Sequence, residues 1–144
     1  MVCAFLGEYE RPETIRPRLK WLVMSLAMAM EKPIFLVGTH TALEKEVLSV
    51  LREVQREYWG IQYGVVTTSA EESLLLPGEL TVCPEAIIPG DAVDAIMSRN
   101  QWLIGKASVV IYNWKNDTDE FCQMILRAKE IGKDVINISA DLPE

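Results

Sequence analysis

The sequence predicts an α/β fold, a three-layer sandwich in which helices cover both faces of a mainly parallel central sheet of about five strands. Three observations predict it. The strand candidates are continuous apolar runs, VCAFL at Val2 to Leu6, IFLVG at Ile34 to Gly38 and SVVIYNW at Ser108 to Trp114, and a run apolar on both sides belongs inside a parallel sheet covered on both faces. These runs alternate with stretches of helical period, the pattern of repeated βαβ units. Glycine closes the first two, at Gly7 and Gly38, and punctuates the last crossover at Gly132.

Each element follows from its residues. Val2 to Leu6 is the first strand, and GEYERPET is a loop. From Ile15, Leu19, Leu22, Val23, Leu26, Ala27 and Met30 recur at spacings of three and four, a stripe broad enough to lie on a sheet, with Pro17 suited to the first turn. Pro33 stops that helix and Ile34 to Gly38 is the second strand. Thr39 or Thr41 can cap the next helix, whose inner stripe is Leu43, Val47, Leu48, Leu51 and Val54, with Glu44, Lys45, Glu46, Arg52, Glu53, Arg56 and Glu57 outside. Ile61 to Thr68 is the third strand. Ser69 to Gly90 is irregular, broken by Pro77, Gly78, Pro84, Pro89 and Gly90, with LTVC as a short edge strand. Asp91 can cap a helix carrying Val93, Ile96, Met97, Trp102 and Ile104. Ser108 to Trp114 follows, then a helix from about Asp119 to Gly132 capped by Asp117 or Thr118, then the strand DVINIS at Asp134 to Ser139. The last unit must be a right-handed crossover, and the whole is Rossmann-like. Ligands in such sheets sit beyond the carboxyl ends of the strands.

Composition narrows the function. The chain of 144 residues is expected to form one domain, residues 1–144, and its 49% hydrophobic and 24% charged residues are those of an ordinary globular protein. A net charge of −7 disfavours a nucleic-acid polymer as partner, because gripping a phosphate backbone needs clustered Lys and Arg. The most apolar helix, Trp21 to Met30, is about half of what a bilayer span requires, so no membrane is expected. With no secretory signal read in the chain, Cys3, Cys83 and Cys122 are expected as buried thiols in the cytoplasm, bound to no metal.

Several segments resemble a known family. They are C-P-E-A-I-I-P from Cys83, A-I-M-S-R-N-Q-W-L-I from Ala95, V-V-I-Y from Val109 and A-K-E-I-G-K-D-V-I-N-I from Ala128, together with F-L-V-G-T-H at Phe35 to His40. They are similar to the SLOG superfamily, specifically its small YpsA-like branch. The resemblance covers nearly the full chain and implies a Rossmann-like domain that binds a nucleotide or nucleotide-derived molecule. The family's cationic turn after the first strand is here Gly7, Glu8 and Tyr9. Its turn after the second strand is Thr41, Ala42, Leu43 and Glu44, and its phosphate-cradling glycine pair falls on Asp119 and Glu120. Carboxylates there would occupy a positive helix end themselves. The proline-glycine-glycine-x-glycine-threonine motif of the related phosphoribohydrolases is absent, so their reaction is not carried over.

The candidate ligand-binding residues are Gly7, Glu8, Gly38, Thr39, His40, Arg99, Asn100, Asn113 and Thr118. Gly7 and Gly38 permit close backbone approach, or merely end strands. His40, the single histidine, can face a ligand or make a turn hydrogen bond, and alone it is neither a metal site nor a triad. The Arg99 fork suits phosphate or carboxylate and Asn100 beside it can orient a sugar hydroxyl; the alternative is an Arg99 ion pair with Glu8 or Glu85. Asn113, Asn116, Asp117 and Thr118 sit where a ligand is expected, and also spell a helix cap. Glu8, Glu10, Glu13 and Glu44 could pair for acid–base chemistry, though charge this common is usually solvated surface. No residue is assigned a catalytic role and no cofactor is implied. The expected function is non-catalytic sensing or sequestration of a nucleotide-derived small molecule. The alternatives are a structural or interaction module with a vestigial pocket, forming a homo-oligomer through Tyr58, Trp59 and Leu74 to Leu76, and a nucleotide N-glycosidic hydrolase.

Overall fold

The computed structural model describes residues 1–58, 60–67, 79–82, 92–113 and 119–141. Six strands form one sheet: β1 Val2–Gly7, β2 Ile34–Val37, β3 Gln62–Val66, β4 Thr81–Val82, β5 Val109–Asn113 and β6 Asp134–Asn137. Every pairing is parallel and the order across the sheet is β4-β3-β2-β1-β5-β6. The architecture is the expected Rossmann-like three-layer sandwich, with six strands because the short LTVC segment does join the edge as β4. The helices are α1 Arg16–Ala29, preceded by a 3-10 turn at Pro12–Ile15, then α2 Ala42–Glu57, α3 Ala92–Lys106, α4 Asp119–Glu130 and the one-turn α5 Ile138–Asp141.

Alternation along the central strands sorts side chains into two cores. Cys3, Phe5, Phe35, Val37, Tyr63, Val65, Val109 and Ile111 pack with α1 and α2 on one face. Ala4, Leu6, Leu36, Val66 and Val110 pack with Leu103, Ile104, Phe121 and Ile125 of α3 and α4 on the other. Both sides of each central strand are therefore buried, which is why these strands read as unbroken apolar runs. In α1, Leu19, Leu22 and Val23 are the buried stripe, while Leu26, Ala27 and Met30 pack partly against it. Arg16 donates to Glu46 at 2.9 Å and Ser49 at 3.0 Å, and Lys20 bridges to Glu57 at 3.1 Å, laying α1 along α2.

Two boundaries differ from expectation. DVINIS does not stay extended to Ser139: β6 stops at Asn137, whose side-chain oxygen accepts from the Ser139 backbone N–H at 2.9 Å and turns the chain into α5. Glu44 is not on the outer face of α2; it is 1% exposed. At the far edge, Arg52 grips Glu79 with two hydrogen bonds of 2.9 and 2.6 Å and the Tyr63 hydroxyl donates to the same carboxylate, tying β3 and α2 to the segment that leads into β4.

Candidate functional site

The sheet order reverses between β1 and β5: β2 and β3 build outward from one side of β1, β5 and β6 from the other. In an open parallel sheet the crevice at the carboxyl end of that switch point is the usual ligand position. Here the carboxyl edge divides into two unlike halves.

The half over β1 and β2 is sealed. Thr41 is the N-cap of α2 and forms a complete capping box with Glu44: the Thr41 hydroxyl accepts from the Glu44 N–H at 3.1 Å, and Glu44 Oε2 accepts from the Thr41 N–H at 3.3 Å. The same hydroxyl donates to the Gly7 carbonyl at 2.7 Å, anchoring the helix start to the end of β1. The Glu44 carboxylate also takes Arg99 end-on, at 2.6 Å to Nη1 and 3.2 Å to Nη2, and Nη2 donates again to Asn100 Oδ1 at 2.8 Å. Arg99 is 1% exposed and Asn100 3%. Gly38 is required beside them, because a Cβ there would overlap the Arg99 guanidinium and the Glu44 carboxylate.

This half has the makings of an anion site: a helix N-terminus, a fork of guanidinium donors and a bare glycine. Its anion is supplied by the chain. Glu44 occupies the position in which a helix start and an arginine would otherwise hold a phosphate or carboxylate. Arg99 and Asn100 thus come together as predicted, but the partner is Glu44 rather than Glu8 or Glu85. Glu8 is exposed, and Glu85 lies outside the described residues. Thr39 is buried at 2% exposure, whereas His40 is exposed in the turn and makes no hydrogen bond among the described residues.

The half over β1, β5 and β6 is open. It is a cleft of about 520 Å³ lined by Tyr9, Glu10, Arg11, Thr14, Asn113, Asn137 and Ser139. Its floor is a closed network. The Glu8 N–H donates to the Asn113 carbonyl at 2.8 Å, and Asn113 Nδ2 returns a 2.8 Å bond to the Glu8 carbonyl. Ser139 donates its hydroxyl to Asn113 Oδ1, and Asn137 Nδ2 reaches the Tyr112 hydroxyl at 3.3 Å. Gly7 makes the close approach feasible: its φ is 103°, and a Cβ would collide with the Asn113 carbonyl oxygen.

The walls are uncommitted where the floor is not. Thr14 donates to the Arg11 carbonyl at 2.6 Å and keeps lone pairs free. The Tyr9 hydroxyl and the Arg11 guanidinium have no hydrogen-bond partner among the described residues. Tyr9 leans its ring on the core while its edge stays accessible. Glu10 is already engaged in an interaction of its own. The cleft therefore offers a permanent positive charge, an aromatic ring and hydroxyl oxygens over a rigid amide floor.

Of the predicted residues, Gly7, Glu8 and Asn113 build the floor of this cleft, and Gly38, Arg99 and Asn100 belong to the sealed half. Thr118, with Asn116 and Asp117, lies outside the described residues, as do Cys83, Trp59 and Leu74 to Leu76. Sequence reasoning missed Tyr9, Arg11, Thr14, Asn137 and Ser139 as lining residues, because the loop GEYERPET has no period and Ser139 was assigned to a strand. It also missed Glu44, although Thr41 followed three residues later by glutamate is the signature of a capping box. Cys3 is a free buried thiol whose pKa burial pushes up to about 11. Neither Cys3 nor Cys122 forms a disulfide among the described residues. Among the described residues no three His, Cys, Asp or Glu side chains gather as metal ligands, and no described helix is long and apolar enough to cross a membrane. No protein-family model matches the sequence, and no curated protein does.

Proposed function

We propose that the chain is a non-catalytic binding domain that senses or sequesters a nucleotide-derived small molecule in the cleft over β1, β5 and β6. One observation carries the reading: at the switch point of a parallel sheet, Arg11 and Tyr9 present a guanidinium with no partner among the described residues and an accessible ring over a floor whose own polar groups are satisfied. A guanidinium suits a phosphate and a tyrosine ring suits a base, so the pair matches the two ends of a nucleotide. The resemblance of Cys83 to Ile104 and Ala128 to Ile138 to SLOG-superfamily segments supports the same ligand class, and a reducing cytoplasm suits the free thiols.

Binding fits the cleft better than bond breaking. The Arg11 guanidinium is a donor with no acceptor atom, the Asn113 and Asn137 amides are occupied, and Glu10 has a partner. The polar groups left over hold and orient a ligand.

The test is a thermal-shift and calorimetry panel of adenine nucleotides, ADP-ribose and cyclic nucleotides. A cognate ligand at a hundredfold over its Kd should add about 2.7 kcal/mol, which is roughly 5 to 10 °C for a domain of this size. Arg11→Ala should weaken that ligand at least about tenfold, the loss of one charge-assisted bond, with the melting temperature of the free protein unchanged. A panel that moves nothing overturns the reading. So does free base appearing when a nucleotide is incubated with the wild-type protein.

A further inference from the structure

A hydroxyl proton can usually turn to suit its neighbours, but two hydroxyls in the cleft over β1, β5 and β6 have theirs fixed by backbone carbonyls. Thr14 Oγ1 lies 2.6 Å from the Arg11 carbonyl oxygen. A carbonyl only accepts, so the Thr14 proton is committed there. Ser139 is fixed through one further step. Asn113 must turn its Nδ2 toward the Glu8 carbonyl, at 2.8 Å, which leaves its Oδ1 facing Ser139. That oxygen also only accepts, so Ser139 Oγ has to donate to it. Both hydroxyls line the cleft, and neither makes another hydrogen bond among the described residues. What each has left to offer is lone pairs.

The cleft is therefore polarised. Arg11 brings donors alone, the Asn113 and Asn137 amides are engaged in the floor, and the Tyr9 hydroxyl can turn either way. Resting on the reading of this cleft as the site of a nucleotide-derived ligand, we propose that Thr14 and Ser139 are obligate acceptors that select a ligand carrying hydrogen-bond donors in addition to its anionic group. In a nucleotide such donors have two sources, the sugar hydroxyls and an exocyclic base amine. An exocyclic carbonyl in the same place would set lone pairs against lone pairs.

The two acceptors are held with unequal firmness. Asn113 is buried, and Ser139 cannot turn its proton toward a ligand without leaving Asn113 Oδ1 short of its donor. The Thr14 bond is exposed and spans only three residues of chain, so its proton is the easier to release. Ser139 therefore carries the larger share of the selectivity.

Titration calorimetry with AMP, ATP, cyclic AMP and ADP-ribose, each beside its 2′-deoxyadenosine and its inosine counterpart, tests the proposal. For a probe that binds, at least one counterpart should be weaker by about three- to tenfold, the worth of one hydrogen bond. The deoxy series reports a sugar hydroxyl and the inosine series the base amine. Ser139→Ala should abolish most of that preference, and Thr14→Ala should reduce it less. A ratio of affinities is the right readout, because a general loosening of the cleft weakens parent and counterpart alike. Deoxy and inosine counterparts that bind as tightly as their parents overturn this inference and leave the ligand reading standing. A preference that survives Thr14→Ala and Ser139→Ala together overturns it too. Binding by none of the probes overturns both.

Discussion

The two halves of the carboxyl edge each contain an arginine, and the arginines have opposite fates. Arg99 is out of contact with water, with the Glu44 carboxylate on one side and Asn100 on the other; Arg11 stands at the lip of an open cleft with no partner among the described residues. The guanidinium chemistry is identical. What differs is that α2 brings its own carboxylate to Arg99, through a capping box that already needed a glutamate at its third position. One half is an anion site filled from within, and so serves the fold. The other is an anion-compatible cleft whose guanidinium no described carboxylate holds, and so can serve a ligand.

The largest effect that would sharpen this contrast is on stability. Removing one member of a buried ion pair leaves the other charged and desolvated, which costs about 3 to 5 kcal/mol. Arg99→Met should lower stability by that order in urea denaturation, whereas Arg11→Ala, at an exposed position, should stay within about 0.5 kcal/mol. Replacing both Arg99 and Glu44 by Met should be less damaging than the sum of the single changes, because no orphan charge remains. Arg99 Nε has no hydrogen-bond partner among the described residues, so the cage is not perfectly satisfied even now, and that gives the apolar double variant further room to recover. If Arg99→Met is as mild as Arg11→Ala, the two halves do not differ in the way the burial indicates.

How much of this was legible depends on which physical signal each residue carries. β1, β2 and β5 were readable because strands buried on both faces leave continuous apolar runs. Arg99 and Asn100 were recognisable as a guanidinium and an amide side by side in α3, flanked by Ile96, Met97, Trp102 and Leu103. Glu44 was misplaced because its charge outweighed its position: it stands three, four and seven residues before Val47, Leu48 and Leu51, on the inner face by helical period. A buried carboxylate is rare enough that charge normally decides, and only the distant Arg99 reverses the balance. The cleft was hidden for a different reason. Its wall comes from an aperiodic loop and its floor from the ends of β1, β5 and β6, and parallel register brings segments more than a hundred residues apart together only after the sheet forms.

A smaller effect tests whether the cleft floor is as rigid as its hydrogen bonds indicate. Asn113 is 6% exposed and holds Glu8 through Nδ2 while accepting from Ser139. Asn113→Ala leaves the Glu8 carbonyl and the Ser139 hydroxyl each short of a partner in a part-buried network, at about 0.5 to 1.5 kcal/mol. Hydrogen exchange should then quicken at the Glu8 amide and at Ser139, and remain unchanged at Glu44 and Arg99. Faster exchange in both halves together would mean that the edge opens as one unit.

The smallest effect comes from a third polar cluster, which separates burial from the capacity to titrate. The Tyr63 hydroxyl donates to Glu79, which Arg52 holds with two hydrogen bonds. Burial first, and then the bond to Glu79, push the Tyr63 pKa up to about 12 from its ordinary value of 10. The folded state thus keeps a proton that the unfolded chain gives up near pH 10, so stability from this group is complete below pH 10 and drains away as pH climbs to about 12. Cys3, raised to about 11, titrates in the same range, so the informative quantity is a difference. The stability advantage of the wild-type chain over Tyr63→Phe should be constant from neutral pH to about 10 and shrink steadily above it. An advantage that holds to pH 12 would place Tyr63 outside the cluster, with Arg52 and Glu79 alone fastening β4 to the sheet.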